Sequence, residues 1–568
     1  MNKNRIYILM GIFLGIFFIL LVILARIQLF KGPELGKQAI ASHSKTISLS
    51  EIVRGEILDR NQMHLTGYNT ATGLYYISSI MLAGVKKEEQ AALLKIYSQK
   101  IGEALNMKPE FILSELWKSQ VQKAGLCRFS LVLNSQQEKA INALGIKGLF
   151  TYPIYLRYDP KGFCSHILGY VNGENPPEGI SGVEKYYNDI LKNQTASDKL
   201  ISVFDARGGS IEGLMLKIRK EETSHNNSIV LTIDKRVQSL AENIMDESIK
   251  KGAVVVMDIR NREILAMASR PNYSPYELVS TNNSTEAPFF NRALSPYFPG
   301  SLFKTLLAAA AFEEGLVTED ELFYCGGSIV LDEKMSISCW QHNGHKSLNF
   351  AQAFAHSCNP VFIQIGQRLG REKILIYSQR LHLLDTNIIG FNNNQPASQI
   401  SINPGKRSLA NASLGQHGVM LTPLQICSLI ATIADGGKWE TPSLLSYIID
   451  QNGKRVYPEN PAPEQVLTPE TAKKLQNLMR LTVEEGTAKT AALPGVLTAG
   501  KTGTSQTGRF DENNEEILNT WFGGFYPAEN PHWAIVVLSE AGESGAQDAA
   551  PVFRKIAAGM TETLGMKQ

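Results

Sequence analysis

A serine followed one helical turn later by a lysine, Ser301-Leu302-Phe303-Lys304, is the stretch of this sequence best equipped for chemistry. Positions i and i+3 share one face of a helix, so the hydroxyl and the amine can serve the same space. Pro299 and Gly300 punctuate the chain just ahead, and an alanine-rich apolar run over 305–312 continues the helix. A serine hydroxyl is a poor nucleophile until a neighbouring base takes its proton. A lysine can be that base only when its amine is neutral, which burial or a nearby like charge would arrange. Lys501 is the natural source of such a charge. Alone, the pair is common by chance.

Two further groupings raise its weight. Ser357-Cys358-Asn359 lies within Ala355-His356-Ser357-Cys358-Asn359-Pro360, at a predicted junction between helices. Lys501-Thr502-Gly503-Thr504 follows Gly500 on a predicted strand. A serine or threonine taken singly is most simply a helix cap or a surface hydroxyl. Three such groups in one stretch of chain need a joint explanation.

The elements that must position them read as follows. Residues 229–234 are strand-like, and a long helix is expected over 235–251. Two short β-rich runs, 252–259 and 263–269, form a predicted hairpin around Arg260-Asn261-Arg262. Residues 301–436 read as mostly helical. Strands return at 497–504, 519–525 and 532–539, and a helix over 549–564 closes the chain. Strands from both ends with helices between them imply an α+β domain, with a central antiparallel sheet flanked by helices. Ahead of it, 28–227 alternates helix-like pieces (86–107, 109–120) with strand-like ones, and 204–211 reads as a hairpin around Gly208-Gly209. No catalytic grouping stands out there, and 221–228 reads as a linker. Residues 6–25 carry no charge and are long enough to span a bilayer as a helix. A cleaved signal peptide is the rival, but Leu24-Ala25-Arg26-Ile27 is a poor cleavage site. The basic residues on either side, Lys3 and Arg5 against Arg26 and Lys31, leave the orientation open.

The totals fit several domains and exclude some functions. The chain has 568 residues, 43% hydrophobic and 19% charged, with a net charge of +2. That is globular composition, and the near balance gives no footprint for nucleic acid. Six cysteines in so long a chain are no disulfide scaffold, and no CxxC pair marks a metal site. His342 and His345 show no thiolate or carboxylate partners nearby in sequence, so a structural role is expected of them.

Serine-x-x-lysine, serine-x-asparagine and lysine-threonine-glycine in this order mark penicillin-binding proteins and class A β-lactamases. The chain resembles the class B penicillin-binding proteins over almost its whole length. The resemblance extends to Leu231-Thr232-Ile233-Asp234 with Gln238, Ala268-Ser269-Arg270-Pro271-Asn272-Tyr273, Asn291-Arg292-Ala293 and Leu421-Thr422-Pro423-Leu424-Gln425. In the first half, Arg54-Gly55-Glu56-Ile57-Leu58-Asp59-Arg60 and Gly182-Val183-Glu184-Lys185-Tyr186-Tyr187 resemble the family's pedestal. It implies a cytoplasmic tail and transmembrane anchor over 1–26, a pedestal domain over 27–227 and a transpeptidase domain over 228–568. It also implies a single-pass protein of the cell membrane with its catalytic domain on the outer face.

By the same resemblance Ser301 is the nucleophile, Lys304 its base, Ser357 a proton relay, and Asn359 the group that orients Lys304 and the substrate amide. Lys501, Thr502, Gly503 and Thr504 would form the substrate-binding strand, with backbone N–H groups of Ser301 and Thr504 as the oxyanion donors. The implied reaction cross-links peptidoglycan stem peptides ending in D-alanyl-D-alanine, and β-lactams would acylate the same serine. No metal or organic cofactor is implied. The implied partner is a multi-span glycan polymerase. Elongation, division and sporulation stay equally open.

Two residues depart from the family pattern. Gln62 stands where glycine is usual after Asp-Arg-Asn, and His417 replaces the last glycine of Gly-Gln-Gly. Cys325 and Cys339 bracket a predicted hairpin, 328–331 against 335–338, and outside the membrane could be a disulfide or two free thiols. Cys358 reads as small filler. A D,D-carboxypeptidase or β-lactamase-like hydrolase is the rival enzyme, and a β-lactam sensor or scaffold the rival without turnover.

Overall fold

A computed structural model of the chain describes residues 3–42, 44–49, 53–121, 126–172, 177–192, 198–203, 217–220, 227–278, 281, 284–333, 335–392 and 399–564. The hairpin expected over 204–211 and most of the linker expected over 221–228 lie outside them. Two compact units emerge, and neither is contiguous. One comprises 1–53, 69–157 and 195–224; the other comprises 54–68, 158–194 and 225–568.

In the first unit an apolar helix, Lys3–Arg26, passes into one π-helical turn, Ile27–Lys31. Within residues 5–31 an 18-residue window reaches a mean hydropathy of 3.2, and this is the one helix among the described residues long and apolar enough to cross a membrane. The same unit holds an antiparallel sheet with Asn69–Ile77 between Leu126–Leu133 and Leu149–Leu156. Helices Lys87–Leu105, Pro109–Val121 and Ser135–Ala143 accompany it. Leu94, Ile101, Leu105, Ile112 and Leu116 bury their side chains with Leu74 and Phe129 of that sheet. Apolar residues at helical spacing thus meet apolar residues at strand spacing.

The second unit is built on a five-stranded antiparallel sheet in the spatial order Ile264–Arg270, Gly252–Asp258, Trp533–Gly542, Glu516–Tyr526, Ala499–Phe510. Alternation decides its two faces. Val255, Met257, Val536 and Leu538 enter one core, whereas Val254, Val256, Ile535 and Val537 enter another. The second core is closed by helices Lys235–Ser248 and Ala550–Thr563, through Val237, Ala241, Phe553 and Ile556. The first is closed by Lys304–Glu313 and Pro423–Ala434, of which the latter is buried at every residue. Its start explains the Thr422-Pro423-Leu424-Gln425 motif. Thr422 caps the helix in a box with Gln425, and proline takes a first-turn position where no N–H is missed. The α+β class and central antiparallel sheet expected from the sequence are those of the structure.

The Arg54 and Glu184 motifs meet inside this unit. Arg54 Nε donates to Glu184 Oε2 at 2.9 Å with both side chains fully buried, and Tyr158 Oη donates to Glu184 Oε1 at 3.0 Å. Strand Glu56–Leu58 runs parallel to Ser228–Leu231, and Asp59 carries the junction. Its Oδ1 accepts from the backbone N–H of Asn61 and Met63, its Oδ2 from that of Lys235. Gln62 adopts φ 62°, so the turn keeps the left-handed backbone that glycine would favour.

Removing one partner of a buried pair strands the other charge. Arg54→Ala is therefore expected to lower the stability of this unit by about 3–5 kcal/mol, read by urea unfolding. A loss below about 1 kcal/mol would show that water or a neighbour replaces the guanidinium.

Candidate active site

Ser301 sits in a short 3₁₀ turn, Gly300–Phe303, that leads into helix Lys304–Glu313. The turn is pinned from three sides. Gly300 N–H donates to Gly415 O at 2.9 Å. Ser505 Oγ and Trp521 Nε1 both donate to Phe298 O, at 2.7 and 3.1 Å. Gly300 has φ 56°, and a Cβ there would lie 2.5 Å from Thr504 O, so only glycine lets the turn close on the Lys501–Thr504 strand. Upstream, Arg292 Nε and Tyr297 Oη both donate to Glu540 Oε1 at 2.8 Å, which ties the approach to strand Trp533–Gly542.

Lys304 is fully buried. Its Nζ donates to Ser357 O at 2.9 Å, Ser357 Oγ at 3.3 Å and Asn359 Oδ1 at 2.8 Å. Ser357 and Cys358 join helix Phe350–Ala355 to helix Asn359–Arg380, the junction expected from the sequence, and Ser357 turns the chain at φ 55°. Burial lowers Lys304 to about 8, against an opposing pull from Cys358 and Cys339. Lys501, also fully buried, is driven well below the usual lysine range, by burial first and by the Lys304 charge second. Desolvation is the larger cause at both amines, and the repulsion between them adds to it at Lys501.

In front of these amines a cleft of about 1080 Å³ opens to solvent, lined by Ser301, Ser357, Asn359, Thr502 and Thr504. Strand alternation puts Thr502 and Thr504 on one side together. Thr502 Oγ1 shares a 2.7 Å hydrogen bond with Thr487 Oγ1, and Gly545 N–H donates to Thr504 Oγ1 at 3.3 Å. Gly503 lies against Pro299 O, where a Cβ would stand 2.7 Å away. Five of the eight expected residues line this cleft, while Lys304 and Lys501 are fully buried and Gly503 sits in the strand between Thr502 and Thr504.

The structure adds Trp340, Gln416, Thr487 and Ser544 to the lining. Trp340 is largely exposed and donates from Nε1 to His356 O at 2.9 Å. Local sequence gave Thr487 and Ser544 no distinguishing signal; both come from loops that only the tertiary fold brings here. Gln416 lines the cleft beside the departure at His417, and His417 itself is exposed.

All six cysteines are free thiols, so Cys325 and Cys339 are not joined. His345 does have thiols beside it, with Cys339 Sγ 3.6 Å from its Nδ1. Cys325, Cys339, His345 and Cys358 cluster, with their ligand-type atoms all within 4.8 Å of one another. Their spacing in sequence, unlike CxxC, carries no local mark of this.

A serine at the head of a buried helix, a lysine beneath it and a Lys-Thr-Gly edge strand beside it define a penicillin-binding transpeptidase fold. Comparison with known proteins agrees. Residues 252–558 match the penicillin binding protein transpeptidase domain family. Stage V sporulation protein D of Bacillus subtilis is 30% identical, over 97% of this chain and 84% of its own. Peptidoglycan D,D-transpeptidase MrdA of Acinetobacter baumannii is 24% identical, over 97% of this chain and 87% of its own. A crystal structure of the D,D-transpeptidase domain of a peptidoglycan glycosyltransferase from Eggerthella lenta shares the fold. Its TM-score is 0.61 at 22% identity, covering 91% of this chain and 100% of that one. The chain belongs to the class B penicillin-binding proteins, the peptidoglycan D,D-transpeptidase family.

Proposed function

We propose that the protein is a membrane-anchored serine D,D-transpeptidase that cross-links peptidoglycan stem peptides through an acyl-enzyme on Ser301. The observation that carries this is the Lys304 amine, held by Ser357 and Asn359 in a dry pocket beneath the cleft that Ser301 lines. Burial brings it to about 8, where an appreciable fraction is neutral near neutral pH.

Neutral Lys304 takes the Ser301 proton as Oγ attacks the carbonyl of the penultimate D-alanine. Backbone N–H groups of Ser301 and Thr504 hold the oxyanion. The peptide C–N bond then breaks. The departing D-alanine amine receives its proton from Lys304 through the Ser357 hydroxyl. An amine from a second stem peptide attacks the ester, its proton leaves by the same route, and Ser301 is re-protonated as the cross-link forms. Lys501, Thr502 and Thr504 take the terminal carboxylate, Gly503 lets the strand pack closely, and Asn359 aligns the donor amide. A β-lactam opens on Ser301 in the same way and stays attached.

Residues 1–26 serve as tail and anchor, 27–227 as pedestal and 228–568 as the transpeptidase domain, which works on the outer face of the cell membrane. The anchor and pedestal are the surfaces for a multi-span glycan polymerase.

A stem-peptide donor with an amine acceptor tests the reaction class. Mass analysis is expected to find the cross-linked product together with released D-alanine. Hydrolysed tetrapeptide alone would overturn transpeptidation in favour of a carboxypeptidase.

A further inference from the structure

Four side chains that take no part in the acyl transfer converge beside the cleft. Cys325 ends strand Leu322–Cys325, Cys339 follows strand Met335–Ser338, and His345 precedes strand Lys346–Asn349. Cys358 is the N-cap of helix Asn359–Arg380. Their three Sγ atoms and one imidazole nitrogen all lie within 4.8 Å of one another. Cys339 Sγ stands 3.6 Å from His345 Nδ1. A tetrahedral ion bound at about 2.3 Å to sulfur and about 2.0 Å to nitrogen would space sulfur from nitrogen by about 3.6 Å and sulfur from sulfur by about 3.8 Å. The cluster is already near those dimensions.

Ordinary packing explains it poorly. All three cysteines are buried, and a disulfide would use only two of them. Among the described residues the buried Nε2 of His345 has no hydrogen-bond partner, so no polar contact on that side accounts for placing the ring there. The surrounding loop is shaped to hold the group. Gly327 and Gly344 have φ 101° and 72°, and a Cβ on either would collide with the facing backbone, His342 O or Cys325 O.

We propose that Cys325, Cys339, His345 and Cys358 bind one Zn²⁺ as a closed structural site. Sulfur and imidazole donors in a tetrahedron suit zinc, whereas calcium and magnesium require oxygen. Four protein ligands leave no position for substrate, so the ion orders the chain and does not join the reaction. Binding turns the thiols into thiolates and releases their protons. What it orders is the second catalytic motif. Cys358 lies between Ser357 and Asn359, and Asn359 Nδ2 donates to Ser338 O at 3.3 Å, next to Cys339. Trp340, the neighbour of Cys339, lines the cleft. The ion would tie the loop under Trp340 to the two residues that hold Lys304.

The test is the metal content of the full-length chain, purified in detergent with reduced thiols, after zinc addition and desalting. About one zinc per chain is expected, and exchange for Co²⁺ should give intense thiolate-to-cobalt charge-transfer bands with tetrahedral d–d bands. Cys325→Ala should retain less than about a tenth of the metal. His345→Cys should keep it and raise the charge-transfer intensity by about a third, since four thiolates replace three. His342→Ala, in the same loop, and Ser301→Ala should both stay loaded, which separates the site from loop damage and from catalysis. Wild-type chain with less than about a tenth of an ion, or a cobalt form without thiolate bands, would overturn the proposal. So would a Cys325–Cys339 disulfide in protein isolated without reductant. The wild-type readings decide it even if Cys325→Ala does not fold.

Discussion

Ser301→Ala is expected to abolish covalent labelling by a fluorescent penicillin while leaving the fold in place. The hydroxyl lines the open cleft and has no hydrogen-bond partner among the described residues, so removing it costs little stability. The change should stay within about 0.5 kcal/mol, as for other substitutions away from packed features. Acylation should fall by at least about 10³-fold, because the remaining groups hold the substrate but form no ester with it. Denaturing gel fluorescence checks the first point and a thermal unfolding curve the second. A variant that labels like wild type would remove the serine from the mechanism altogether. A variant that loses both label and fold would give Ser301 a structural part that its surroundings do not suggest.

Lys304→Met is the second large effect, and its pH dependence matters more than its size. A general base contributes about 10²–10⁴-fold, so acylation should drop by that range. In the proposed mechanism the active form of Lys304 is neutral, and the neutral fraction grows as pH rises through about 8. Wild-type acylation should therefore climb about tenfold per pH unit well below that value and level off above it. Lys304→Met should lose this limb. Lys304→Arg should not restore it, since a guanidinium keeps its proton. Stability moves on opposing terms. Methionine removes the desolvation cost of a fully buried amine, yet leaves Ser357 O and Asn359 Oδ1 without their donor, at about 1–3 kcal/mol each. Activity and stability thus separate in this variant. An unchanged limb in Lys304→Met, measured as the rate of β-lactam acylation from pH 6 to 9, would assign the titration to another group.

The second buried lysine bears on that experiment. Burial first, and the Lys304 charge second, lower Lys501 well below the usual lysine range. A substrate carboxylate would favour its return to the charged form. Lys304 then works beside a partner whose charge depends on occupancy.

Much of this protein was legible in its chemistry-bearing residues and periodicities. Ser301-x-x-Lys304, Ser357-x-Asn359 and Lys501-Thr502-Gly503 can be read in order because each is a local string whose spacing is set by one helix or one strand. The apolar run near the start is legible because a bilayer demands length and uniformity. The strands of the central sheet announced themselves by short apolar runs between turns. Contacts between distant segments were not legible in the same way. Arg54 finds Glu184, and Thr487 finds Thr502, across stretches that no period connects. The two compact units interleave along the chain, because a parallel pairing of Glu56–Leu58 with Ser228–Leu231 draws the earlier segment into the later core. The cluster of Cys325, Cys339, His345 and Cys358 is the plainest case. Its four members are separated by two small β-pairs and a helix, so nothing in their spacing marks a ligand set. The sequence determined which groups could react, since that depends on residue type and local geometry. Only the tertiary structure decided which amines are dry and which thiols meet, because burial and proximity belong to the packed chain.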